Sequence, residues 1–301
     1  MEILYGNKKY FDVTNICLYN LVKDGILTIP LGDHERAKYF GDPFQNIKKH
    51  VIVNYQNDTC FYKEDVICTY DLSNSELIKI PKYQILNKID NNFKLMAIHN
   101  NLTMVGGNML DEFPEQLMST HFIKCTDKVL EIGSNIGRNT CVIASILEEQ
   151  GNLITLESDN ESCTLLQQNK ELNNLSFNIE NAALSYRKLY QKDWDTIPSE
   201  VDIEGYKLVN TITFEELQRK YQIIFDTLIL DCEGAFYYIL LDNDKILQNI
   251  SKIIMENDYH NFEHKEYVDT IMLKYGFKNV FQQNGGWGPC EHCFYEVWIK
   301  Q

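Results

Sequence analysis

Acidic side chains recur at or near the ends of apolar runs in the second half of this chain. Glu131 sits in Val129-Leu130-Glu131-Ile132, Glu157 follows Leu153-Ile154-Thr155-Leu156, and Asp231 and Glu233 follow Thr227-Leu228-Ile229-Leu230. Glu256 ends Ile253-Ile254-Met255 in the same way. A carboxylate can accept two hydrogen bonds from a vicinal diol, take a proton from a reacting hydroxyl, or balance a cation. Short apolar runs alternating with helical patterns predict parallel strands covered on both faces, with ligands bound beyond their carboxyl ends. Clustered carboxylates repel one another, so a binding cleft explains them more economically than packing does.

The element that must position these acids is the turn after Ile132. Gly133-Ser134-Asn135-Ile136-Gly137-Arg138-Asn139 joins an apolar strand to a helical run through Val142, Ile143, Ile146 and Leu147. Such a turn carries backbone N–H groups and the positive end of a helix to a ligand. It reads E-x-G-x-x-x-G, without the close G-x-G pair that admits a pyrophosphate, and no P-loop lysine follows. Glu157 lies 24 positions beyond Gly133, near the roughly 20-residue spacing of an acid that grips ribose hydroxyls. A ligand with a ribose, an amino-acid tail and a positive centre but no phosphate suits this edge, which points to S-adenosylmethionine.

At this point the chain resembles the class I S-adenosylmethionine-dependent methyltransferases, and within them the FkbM family. The resemblance rests on ordered blocks: VLEIGSNIGRNT at 129–140, ITLESDNESCTLLQQN at 154–169, NAALS at 181–185, VNTITFEEL at 209–217, DTLILDCEGAFYYIL at 226–240 and IIMEND at 253–258. It covers roughly residues 105–301. It implies an α/β fold, a Rossmann-like sheet of seven strands with helices on both faces, whose last strand is antiparallel, as a hairpin between Phe277 and Ile299 would allow. It implies that Glu131, Gly133, Ser134, Asn135, Gly137 and Asn139 cradle the methionine part. Glu157 would hold the ribose beside Ser158, and Asn181 and Ala182 would border the adenine. Asp231 and Glu233 would stand between cofactor and acceptor. Family members mostly methylate hydroxyls of sugars and natural products, so a sugar or glycan acceptor is implied. The second glutamate that often follows the family's D-x-E-G unit is replaced here by Phe236.

Methyl transfer is an in-line displacement, so the protein aligns the acceptor oxygen and removes its proton. Asp231 and Glu233 are the first candidates for the base, because mutual repulsion raises one carboxyl toward neutrality; His260, just past the fifth strand, is the next. Glu256, Asp258 and Trp287 are the candidate acceptor contacts, the tryptophan by stacking on a sugar face. Asp231, Glu256, Asn257 and Asp258 are hard oxygen ligands, but ribose and acceptor binding account for them without an ion, and no metal is assigned. Cys290-Glu291-His292-Cys293 is half a zinc pattern with no second C-x-x-C pair. Between Met109 and Phe122 an interrupted helix is expected, with Pro114 in its first turn. A helix just ahead of the glycine strand often lies across the ligand pocket, so its Asp111, Glu112, Glu115 and Gln116 could face a substrate; a solvated charged face is the commoner explanation.

Composition narrows the partners. The 301 residues are 44% hydrophobic and 24% charged, with a formal net charge of −15, which repels phosphate backbones and anionic lipid heads. No nucleic acid and no membrane span are expected. The N-terminus lacks a basic segment and an apolar core, and the nine cysteines read as free thiols, so an intracellular, cytoplasmic protein is expected. Residues 1–95 read as a small β-rich accessory domain, a sandwich or open barrel for binding or for a homodimer, followed by a methyltransferase domain over 96–301. The competing reading is a non-catalytic protein that keeps the cofactor fold and works through its N-terminal β module, binding a glycan or protein.

Overall fold

The computed structural model describes residues 1–193 and 195–301. It divides into two compact units, Met1–Leu102 and Thr103–Gln301.

In the second unit, the apolar runs become the strands β1 (Val129–Ile132), β2 (Leu153–Leu156), β3 (Asn178–Glu180), β4 (Thr227–Leu230), β5 (Lys252–Glu256), β6 (Phe277–Gln283) and β7 (Tyr295–Lys300). They form one sheet in the order β3-β2-β1-β4-β5-β7-β6. The first five are parallel, while β7 runs antiparallel to β5 and β6, as the expected terminal hairpin requires. Every residue of β1, β2 and β4 is buried, as befits strands with both faces covered. The order reverses between β1 and β4, and it is there that such sheets open a crevice.

Helices α1 (Phe113–Phe122), α2 (Arg138–Ile146), α3 (Asn160–Leu172), α4 (Phe214–Tyr221), α5 (Ala235–Asp242) and α6 (Phe262–Lys274) cover the sheet. Their starts are written locally. Pro114 occupies the first turn of α1 behind a 3-10 turn at Met109–Glu112, the expected interruption. Asp159 caps α3 through the N–H groups of Glu161 and Ser162, and Thr213 with Glu216 closes a capping box on α4.

One strand differs from expectation. The run Asn178–Leu184 breaks at Asn181 into β3 and a two-residue strand, Ala183–Leu184, which pairs with Thr211–Ile212 instead. The break puts Asn181 to structural use: its Nδ2 donates to the Glu157 carbonyl at 2.9 Å. A small antiparallel sheet of Leu189–Lys192, Asp195–Pro198 and Lys207–Val209 follows.

The first unit holds the expected short strands at Tyr10–Asp12, Ile26–Ile29 and His50–Tyr55, in sheets of four and three strands. The strand placed at Val66 begins at Cys68 instead. It also carries four helices that the sequence reading did not anticipate, Thr14–Asn20, Asp33–Phe40, Lys82–Leu86 and Asn91–His99, so it mixes helices with its strands. Helices of two and a half turns or fewer give too short a stretch for a 3.6-residue period to stand out. Among the described residues, no helix is long and apolar enough to cross a membrane.

Candidate functional site

The turn after β1 is built by close approach. Gly133 has φ +85°, and a Cβ there would lie 1.6 Å from the Asp231 carbonyl oxygen. Only glycine lets the turns after β1 and β4 come this close. Gly133 and Ser134 both donate their N–H groups to the Leu156 carbonyl, each at 3.1 Å. These two donors are therefore spent on the neighbouring strand rather than offered to a ligand, contrary to the simplest reading of a glycine turn. Gly137, at φ +90°, starts α2 against Leu166.

Beyond this edge of the sheet lies a cleft of about 950 Å³, within the size range of small-molecule sites. It brings together Gly133, Asn135, Glu157, Ser158, Ala182, Asp231, Glu233, Glu256, His260 and Trp287. The other sequence-selected residues do not line it, and the structure gives each a different task. The Glu131 carboxylate accepts the hydroxyls of Thr140 and Thr155 at 2.6 and 2.7 Å beneath the turn, and burial pushes it up to about 7. Ser134 donates its hydroxyl to Leu156 O, and Asn139 is buried on α2. Asp258 accepts the N–H groups of Glu233 and Gly234, and burial pushes its carboxyl to about 7. It holds the turn after β4 in shape and does not face an acceptor.

Two features of the cleft follow from that turn. Glu233 adopts φ +51°, a left-handed conformation unfavourable for a side chain, with Gly234 at +74° beside it. Such strain is characteristic of positions held for function. Partial desolvation raises the Glu233 carboxyl, while nearby His260 draws it down. The His260 ring lies 4.7 Å from that of Trp287, which is exposed. Glu157, mostly buried at the opposite side of the Gly133 turn, accepts Asn135 N–H at 2.8 Å on one oxygen and Asp159 N–H at 2.7 Å on the other. Each oxygen keeps a lone pair for a further donor.

Several lining residues lie outside the strand-end acids and the glycine turn. Asp111, Glu112 and Glu115 line the cleft, Asp111 with its side chain largely exposed; Gln116, fully buried, donates to Met109 O. Glu112 is joined to Arg138 at 2.8 Å and accepts Asn139 N–H at 3.2 Å. Arg187, Tyr238 and His264 complete the wall toward the small antiparallel sheet. The only signal for the acids was Pro114 opening a helix just ahead of the glycine strand. Cys290 and Cys293 are buried in the core around Trp298. All nine cysteines are free.

No family model matches the chain, and no curated protein matches it. Solved structures with a similar chain path include a tRNA m1G37 methyltransferase from M. jannaschii, at 13% identity and a TM-score of 0.39, covering 65% of this chain and 51% of that one. An O-methyltransferase from Bacillus cereus in complex with SAH aligns at 14% identity and a TM-score of 0.39, over 76% of this chain and 96% of that one. A ribosomal protein L11 methylase from Lactobacillus delbrueckii subsp. bulgaricus gives 11% identity and 0.40, over 66% and 82%. The chain thus spans about half the length of the first of these.

Proposed function

We propose that this protein is an S-adenosylmethionine-dependent methyltransferase acting on a hydroxyl of a sugar, glycan or related small molecule. The observation that carries the reading is the pairing of Glu157 with the Gly133 turn across one cleft, at the point where the strand order reverses. The residues fit that cofactor by their chemistry. Glu157 has acceptor capacity for a ribose diol. The acids Glu112, Asp231 and Glu233 give the cleft a negative lining that favours a sulfonium. Ser158 and Ala182 lie on the Glu157 side, where an adenine would rest. The order of the motif blocks supports a place near the FkbM enzymes.

When bound, the cofactor supplies an activated methyl group. The chain's own part is to orient the acceptor and remove one proton. Glu233, held in its strained backbone conformation by Asp258, is our assigned base, with His260 beside it. Trp287 offers an exposed ring at the cleft, suited to the apolar face of a sugar.

Isothermal titration with S-adenosylmethionine, followed by a methyl-release assay over a glycan panel, tests the reading. Micromolar binding with turnover on at least one acceptor supports it. Failure to bind the cofactor refutes it, and tight binding without turnover on any acceptor leaves the non-catalytic reading in its place.

A further inference from the structure

We infer that Glu115, Asp231 and Glu256 form a binding site for one hard divalent cation of the Mg²⁺, Mn²⁺ or Ca²⁺ class. Each presents a carboxylate oxygen, and these oxygens lie within 4.8 Å of one another. Oxygens sharing an ion at about 2.1–2.5 Å sit roughly 3–5 Å apart, so this spacing is that of a coordination sphere. The grouping is fixed by backbone. Leu230 of β4 pairs with Met255 of β5, which places the next residues, Asp231 and Glu256, side by side. Glu115 comes down from the first turn of α1.

A second observation points to a ligand. Glu115 is 8% exposed, and its Oε2 is buried without any hydrogen-bond donor. A cation would satisfy an orphaned carboxylate oxygen that faces two further carboxylates; without one, the three coexist only by holding a proton between them. Among the described residues no lysine or arginine pairs with any of the three; Arg138, which also lines the cleft, is held by Asp111 and Glu112. Asp258 lies outside this group and receives the N–H groups of the Glu233 turn, while Asn257 turns its amide toward Cys293 O. The site opens onto the cleft, leaving room for water or substrate oxygens to complete the coordination. It stands on side-chain geometry alone; only a part in methyl transfer would rest on the proposed function.

The test is a titration of the full chain with MnCl₂, reading free Mn²⁺ by electron paramagnetic resonance. One ion per chain with sub-millimolar affinity, weakened at least tenfold in both Glu115→Gln and Glu256→Gln, is the expected result. No binding at 5 mM, or unchanged affinity in both variants, overturns the inference. An anomalous-difference map from wild-type crystals soaked in MnCl₂ decides the matter without substitutions: a peak among the three carboxylates supports the site, and its absence or a peak elsewhere overturns it. Titration with S-adenosylmethionine in the absence of metal keeps failure of the ion site distinct from failure of the cofactor reading.

Discussion

At the scale of single residues, the account turns on carboxylates whose surroundings differ. Glu157 is held by two backbone donors and keeps acceptor capacity toward the cleft. Replacing it with alanine should weaken S-adenosylmethionine binding by about 10–100-fold, the worth of one or two hydrogen bonds to a charged group, as read by isothermal titration. Asp231→Ala should lower turnover as well, because the proposed site puts this carboxylate between cofactor and acceptor. Glu157, Asp231 and Glu233 were legible in the sequence because each follows a continuous apolar run. Glu115 was less so. It sits on a helix whose polar residues look solvated until the fold sets them against the sheet edge. Glu131 and Asp258 show the reverse: acids at the expected positions that hold threonine hydroxyls and backbone N–H groups and do not line the cleft.

At the scale of elements, the turn after β1 is held by contact with the turn after β4. Gly133→Ala would drive a methyl group into the Asp231 carbonyl. It should destabilise the protein by at least ~2 kcal/mol through backbone strain alone, seen as a lowered Tm. Beneath the same turn, Glu131 titrates near 7 in the folded chain against an ordinary value of 4.5. Between those values the folded state binds more protons than the unfolded one, so stability falls as pH rises through that window. Glu131→Gln should remove about 3 kcal/mol of that fall, measured as a flatter dependence of unfolding free energy on pH from 4.5 to 7. The main strands could be read from their apolar runs. The break at Asn181 could not, since it depends on a side chain reaching the Glu157 carbonyl from the next strand. The short helices of the first unit were hidden for want of length.

At the scale of the whole molecule, the cleft is lined entirely by residues of the second unit. With a formal charge of −15, the proposed small-molecule reading expects long-range repulsion to disfavour a polyanionic acceptor. Filter binding with bulk tRNA at 0.15 M salt should therefore retain no complex at 10 µM protein, and retention there would contradict the small-molecule reading. The measurement that bears most directly on the central claim is a crystal structure of the full chain grown with S-adenosylmethionine. The account predicts the ribose hydroxyls on the Glu157 carboxylate, with the methyl-bearing sulfur between the Gly133 turn and Asp231. Cofactor density anywhere else in the molecule would contradict it.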